Sequence, residues 1–452
     1  MPHLALARVA LLDRLRGLRA GQEYAFLTRS QWSGPEALRA LQESKLRTLL
    51  DAAGRTSYYA SRFELITRLE RDADPWRVLA SLPILTRTAA REEAAALRNP
   101  DRRTGSRPKS TGGSTGTPLR YVLSRQAQSA QWGHLWRAWS TAGFQPGEAI
   151  GIVAGRSLLA GRRTARRIYA SLQNWITLDA FDLSDRSMDR FARALAQRRV
   201  RYLYGYASAL ATFADWLDAN RRPLLLQAVF TTAEQLLPTA RRTIERGARA
   251  EVFDTYGAND GGISAFECQH HDGWHLGIER CVVEVVRADG TECAPGEVGR
   301  VISTDLDNRA FPFLRYEVGD LAALDPTPCA CGRSLPRLTR LSGRLSDLLS
   351  LPNGLQVHGE LFSHLLRDEE GVRRYQAIQT GPNAIEVRLA VFDSRSEPLI
   401  DRLRTQLSAL LPEVDLSLRV TDEFVHTAGG KVPLVVALDA GVETRDPAPP
   451  AI

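Results

Sequence analysis

The stretch between residues 149 and 254 constrains the fold most. Short apolar runs at 149–154, 200–204, 224–231 and 250–254 alternate there with segments of helical periodicity at 188–198, 207–219 and 238–247. Two strands joined by a helix of this length cannot form a tight hairpin, because the crossover returns the chain to the same edge direction. The segment therefore predicts a parallel sheet with helices on its faces, and ligands in such sheets sit beyond the carboxyl ends of the strands.

The flanking regions differ in character. Residues 1–100 read as mostly helical, and a polar loop dense in Arg, Gly, Ser and Thr follows at 99–118. Strand patterns at 282–286 and 299–303 suggest a β-rich, more antiparallel region. After Gly343 a strand at 384–392, a helix at 397–411 and a strand at 414–420 outline a small α+β unit, ended by a polar, proline-containing tail expected to be disordered. With 452 residues, one core is not enough, so two or three packed units are expected. The first 26 residues carry Arg8, Arg14, Arg16 and Arg19 among Leu and Ala, which interrupts any signal-peptide core. They read as an amphipathic surface helix with Leu4, Leu11, Leu15 and Leu18 on one stripe. No apolar run reaches the roughly 18 residues of a membrane span, and a cytoplasmic location is the default expectation. A net charge of +7 favours anionic ligands. The basic residues are scattered and form no nucleic-acid recognition motif, so no nucleic-acid partner is expected. Five cysteines, none before Cys268, do not form a secreted disulfide framework.

The strongest local signal is Ser110-Thr111-Gly112-Gly113-Ser114-Thr115-Gly116-Thr117-Pro118. Glycines let backbone N–H groups turn inward around an anion, and the hydroxyls add donors. No lysine follows Gly116, so this is not a Walker loop. It resembles the phosphate-binding loop of the adenylate-forming superfamily, and further motifs follow in that family's order. Thr231-Thr232-Ala233-Glu234 resembles the adenine-side loop, and Asp254-Thr255-Tyr256-Gly257-Ala258-Asn259-Asp260 the Tyr-Gly-x-x-Glu segment. Tyr316-Glu317-Val318-Gly319-Asp320 resembles the ribose motif, Gly343-Arg344-Leu345-Ser346-Asp347 the hinge, and Gly429-Gly430-Lys431 the loop of the catalytic lysine. Ser57-Tyr58-Tyr59 and Leu82-Pro83-Ile84-Leu85-Thr86 are similar to the start of the phenylacetate–CoA ligase-like branch. The resemblance spans roughly residues 45 to 437.

It implies an α/β enzyme with a large domain at 1–343, made of parallel sheets, helices and a β-rich subdomain, and a small mobile α+β domain at 344–452. It implies ATP-dependent activation of a small carboxylic acid as its acyl-adenylate, then acyl transfer to CoA; an amine or a carrier-protein thiol is the alternative acceptor, and a degenerate nucleotide-binding homologue the alternative function. Residues 110–117 would hold the phosphates. Glu234, Asp254, Tyr256, Gly257, Asp320 and Arg344 would contact the rest of the nucleotide. Asp320 suits two ribose hydroxyls because a carboxylate offers two acceptor oxygens. Lys431 would bridge α-phosphate and carboxylate as a point charge. Two departures stand out: Asp260 replaces the family's metal-side Glu and would still bind Mg²⁺, and Ser346 replaces the first acid of the hinge. Tyr204, Gly205, Tyr206, Trp136 and His134 are candidates for the acid pocket and equally for the core. A homodimer stays open.

Cys329-Ala330-Cys331-Gly332 puts two thiols one residue apart in a tight turn, and Cys268 lies upstream of His270, His271 and His275. Three thiolates and one imidazole would make a closed structural zinc site. Some phenylacetate–CoA ligase-like proteins show a similar Cys…His…Cys-x-Cys arrangement. His275 is the preferred fourth ligand, with His270 and His271 as rivals; Cys281 and Cys293 fall outside the group.

Overall fold

The computed structural model describes residues 2–67, 74–101, 106–111, 119–155, 170–344, 348–352, 356–366, 369, 371–392, 397–426 and 432–437. The chain opens with helices α1 (Pro2–Arg16), α2 (Ala20–Ser30), α3 (Pro35–Gly54), α4 (Ser57–Arg62), α5 (Glu64–Thr67), α6 (Pro75–Ser81) and α7 (Arg87–Glu92). Several start where the sequence supplies a cap. Thr56, Asp74 and Thr86 accept from the backbone amides of Tyr59, Trp76 and Ala89, and Pro35 and Pro75 occupy first turns. The stripe expected on the first helix is corrected in part: Leu18, just past α1, is buried as expected, but Leu11 and Leu15 are 51% and 68% exposed and α1 instead buries Val9 and Leu12; the Leu4 side chain lies outside the described residues. The buried face is set by packing on the neighbouring α2 rather than by leucine content.

The polar loop is also corrected. Within it β1 (Ser106–Ser110) pairs antiparallel with β2 (Arg120–Ser124). All five β1 residues are exposed, so no apolar alternation marks the strand; the backbone ladder alone makes it one. Ser124 then caps α8 (Arg125–Ser140).

The alternating stretch forms β3 (Ile150–Ala154), β4 (Trp175–Asp179), α9 (Asp185–Gln197), β5 (Tyr202–Tyr206), α10 (Ala207–Ala219), β6 (Ala228–Thr232), α11 (Pro238–Ala248) and β7 (Glu251–Ala258). The strands β3, β5, β6 and β7 are parallel neighbours, as expected, and β4, which the sequence reading did not include, adds a parallel strand beside β3. Close approach needs glycine at two points. A Cβ on Gly205 would lie 2.0 Å from the Val153 carbonyl oxygen of β3, and one on Gly247 of α11 2.0 Å from the Ala214 carbonyl oxygen of α10.

The β-rich region is not a separate sheet. β7 pairs antiparallel with β8 (Ile263–Glu267), which leads to β9 (Trp274–Leu276), β13 (Arg337–Arg344), β12 (Tyr316–Asp325), β11 (Val298–Asp305) and β10 (Cys281–Val286). One mixed sheet of eleven strands thus runs from β10 to β4 among the described residues. After it come the β14 (Leu348–Ser350) and β15 (Gln356–His358) pair, α12 (Gly359–Leu366), and a four-stranded sheet in the order β18 (Asp415–Val420), β17 (Ala384–Val391), β16 (Val372–Gly381), β19 (Val435–Val436). Helix α13 (Glu397–Leu410) covers this sheet with buried Leu403 and Leu407. Leu237, at the start of α11, is buried in this C-terminal core and so ties the two parts together.

Candidate functional site

The motif residues gather where the parallel half of the sheet turns into the antiparallel half. Tyr256, near the carboxyl end of β7, donates from its hydroxyl to Asp320 Oδ2 at 2.7 Å. Three strands separate β7 from β12 in the sheet order, so this contact exists only because the sheet curls back on itself. Asp320 follows Gly319, whose φ of +83° lets β12 shift register at this point. Arg344 is the register partner of Asp320 across β12 and β13; its side chain lies outside the described residues. Gly257, exposed beside Tyr256, pairs with Ser264 of β8. Asp260 lies half-buried past the end of β7 and accepts from the Tyr316 hydroxyl at 3.2 Å.

Of the glycine-rich loop, Gly112, Gly113, Ser114, Thr115, Gly116 and Thr117 lie outside the described residues, as do Lys431 and Ser346. The loop's stem is described. Thr111 and Leu119 exchange two hydrogen bonds of 3.0 Å, and Arg87 donates to the Thr111 hydroxyl at 3.1 Å. Arg87 was not singled out from the sequence. A signal existed, because it directly follows the Leu82–Thr86 motif. That motif is strapped to β12, with Leu85 bonded to the backbone of Arg315 and Glu317 on either side of Tyr316. Ser110 ends β1, exposed, beside this stem.

Two side chains expected to face the nucleotide are engaged elsewhere. Asp254 is buried, and its carboxylate accepts from the Thr231 hydroxyl and the Trp274 indole. Burial, then the neighbouring Glu267 carboxylate, pushes it up to about 7. It braces the strand ends through these two bonds. Glu234 accepts from the Ser208 amide of α10 at 2.9 Å and from the Val432 amide at 3.3 Å. It follows Ala233, which is held at φ +68°, a left-handed conformation rare for a residue with a Cβ.

The pocket candidates resolve toward the core. Trp136, Tyr204 and Tyr206 are buried in the main cluster, Gly205 presses on β3, and His134 is buried against Arg137 with Nδ1 2.9 Å from its guanidinium. Arg137 is itself fully buried and paired with Glu279 at 2.7 Å.

A second constellation sits at the far end of β8 and β9. The donor atoms of Cys268, His275, Cys329 and Cys331 all lie within 4.8 Å of one another. Cys268 and Cys329 sulfurs are 3.8 Å apart, and Cys331 Sγ is 3.3 Å from His275 Nε2. Bonds of about 2.3 Å at tetrahedral angles would space two sulfurs about 3.8 Å apart, so the group suits a zinc ion. The other ring nitrogen of His275 lies 3.2 Å from the Leu335 carbonyl, which fixes Nδ1 as donor and leaves Nε2 for a metal. Burial drives His275 down to about 4, which keeps it neutral, and raises the Cys268 thiol to about 12. The rival His271 is turned to Glu267 and Glu251 instead. Gly332, at φ +80°, makes the turn between the two thiols and Arg333, which donates to Gln31 at 2.9 Å and stacks over Trp32. Cys281 is buried elsewhere and Cys293 is half-buried beside Gly299.

No described helix is long and apolar enough to cross a membrane. No family model matches the chain. It is 26% identical over 356 residues to a phenylacetate–coenzyme A ligase of Thermus thermophilus, covering 76% of this chain and 78% of that protein. It is 33% identical over 143 residues to a phenylacetate–coenzyme A ligase of Escherichia coli, covering 29% of this chain and 32% of that protein. Among solved structures, a 2-hydroxyisobutyryl-CoA ligase in its postadenylation state superposes with a TM-score of 0.69 at 17% identity, over 89% of this chain and 90% of that one. The same ligase in its thioesterification state gives 0.58, over 90% and 91%.

Proposed function

We propose that this chain, a member of the adenylate-forming superfamily on its phenylacetate–CoA ligase-like branch, activates a small carboxylic acid with ATP and passes the acyl group to CoA. In the first half-reaction a carboxylate oxygen attacks the α-phosphorus, the bond to the β-phosphate breaks, and pyrophosphate leaves. In the second, a thiolate attacks the acyl carbon and AMP leaves. The observation that carries the reading is the Tyr256–Asp320 hydrogen bond, which joins two motifs 64 residues apart into one site. Held by the Tyr256 hydroxyl, Asp320 is oriented to accept from ribose hydroxyls, and the Tyr256 ring is fixed for stacking on adenine. Residues 110–117 would hold the leaving phosphates, and Arg87 donates to Thr111 at the stem of that loop. Lys431 supplies the cation between carboxylate and α-phosphate, so most of the catalysis is positioning and charge neutralisation.

Asp260 would hold Mg²⁺. A single half-exposed carboxylate fits an ion that takes one or two protein oxygens and completes its shell with phosphates and water. When bound, the ion neutralises phosphate charge. Cys268, His275, Cys329 and Cys331 would hold a structural zinc with no open position for chemistry. We assign residues 1–343 and 344–452 to a large unit and a small lid carrying Lys431, and a cytoplasmic setting, which supplies ATP and CoA.

The test is ATP–pyrophosphate exchange across a panel of small aliphatic and aromatic acids, repeated with CoA and thioester detection. Acid-dependent exchange and a CoA thioester are expected, and Lys431→Ala should reduce exchange by about 100-fold or more while ATP still binds. A folded, metal-replete protein that exchanges with no acid on the panel would overturn the reading; exchange without thioester would move the acceptor to an amine or carrier thiol.

A further inference from the structure

Glu234 makes two contacts that no nucleotide-binding role requires. One carboxylate oxygen accepts from the Ser208 amide in the first turn of α10, at 2.9 Å. The other accepts from the Val432 amide, at 3.3 Å. The first contact uses an unpaired helix-end N–H and favours the negative charge of the side chain there, so Glu234 is held rigidly on the large unit. The second reaches across to the small unit, to the residue that directly follows Lys431 in the chain. The left-handed Ala233 is what turns Glu234 in this direction. Around the contact lies a cleft of about 320 Å³ between α10, α11 and β16, lined by Ser208, Glu234, Arg374, Phe424 and Val432.

Resting on the adenylation reading above, we infer that Glu234 is a positioning residue: it docks the Lys431 segment onto the adenine-side loop for the first half-reaction and plays no part in the second. The adenine-side loop and the residue that directly follows Lys431 then share one carboxylate. Beyond Leu237 in the C-terminal core, another tie between the units is Arg373 with Asp215, at 4.0 Å, and among the described residues this pair makes no hydrogen bond to Val432.

The experiment measures the half-reactions separately. Pyrophosphate exchange reports adenylation, and thioester formation from chemically prepared acyl-adenylate plus CoA reports transfer. Glu234→Ala should lower exchange at least tenfold and leave transfer within about twofold. Glu234→Gln keeps one acceptor oxygen and should fall between. Asp215→Asn should leave the ratio of the two rates unchanged. Hydrogen–deuterium exchange of the peptide containing Val432 is followed alongside; its amide should lose protection in Glu234→Ala and keep it in Asp215→Asn. Unchanged exchange activity, an equal loss of both half-reactions, or unchanged Val432 protection overturns the proposal. If the wild type adenylates no acid, the adenylation reading fails on its own account, and the Val432 protection still decides whether Glu234 docks this segment.

Discussion

Cys329→Ser should remove one zinc per chain and about 4 kcal/mol of stability. Cys268 and Cys329 are 61 residues apart in the chain, yet their sulfurs lie 3.8 Å apart. A metal bridging them restrains the unfolded chain as a covalent link does. For a closed loop of sixty-odd residues the loop-closure relation gives about 4 kcal/mol at 25 °C. At roughly 2–4 °C per kcal/mol for a unit of this size, the melting temperature should fall by about 10 °C. The effect should exceed that of an ordinary buried thiol, because the turn at 329–333 also anchors α2 through Arg333 and Gln31. Elemental analysis of untagged protein and scanning calorimetry, with and without chelator, measure it. Chelator should lower the wild-type melting temperature to that of Cys329→Ser and leave the variant unchanged, with Cys293→Ser as the control outside the cluster. Metal-free wild type of full stability would refute the reasoning.

Tyr256→Phe removes the donor to Asp320, and a hydrogen bond to a charged acceptor is worth about 1.5–3 kcal/mol. The KM for ATP should rise about tenfold or more, with the KM for the acid little changed; steady-state kinetics with each substrate varied checks this. Asp305 is fully buried, and burial pushes it from 3.8 up to about 6. Its folded value exceeds its unfolded one, so its contribution is present below pH 4 and lost as pH rises through 6. Relative to Asp305→Asn, the wild type should lose about 2 kcal/mol between pH 4 and pH 7, read from urea unfolding at both pH values. Gly247→Ala would drive a methyl into the Ala214 carbonyl and should destabilise by about 1–3 kcal/mol, with α10 and α11 forced apart; a melting temperature equal to wild type would show that the helices have slack.

The parallel half of the sheet was legible because local patterns suffice there: β3, β5, β6 and β7 are apolar runs, and the helices between them carry one apolar face. The small unit's β17, α13 and β18 were legible for the same reason. The order of the motifs carried the nucleotide candidates, and turn chemistry at Cys329–Gly332 carried the metal candidates. Other features had no local signature. β1 is wholly exposed, and α1 buries Val9 and Leu12 rather than its conspicuous leucines, since which face is covered depends on what lies against it. The directions of side chains at the site were decided only by tertiary structure. Asp254 and Glu234 are acids in ligand-like motifs, yet one is sealed by Thr231 and Trp274 and the other spans Ser208 and Val432. A sequence specifies that a carboxylate is present and roughly where on a strand it falls. Which donor it meets depends on segments tens to hundreds of residues away, brought near by the curl of the sheet and the docking of the C-terminal unit.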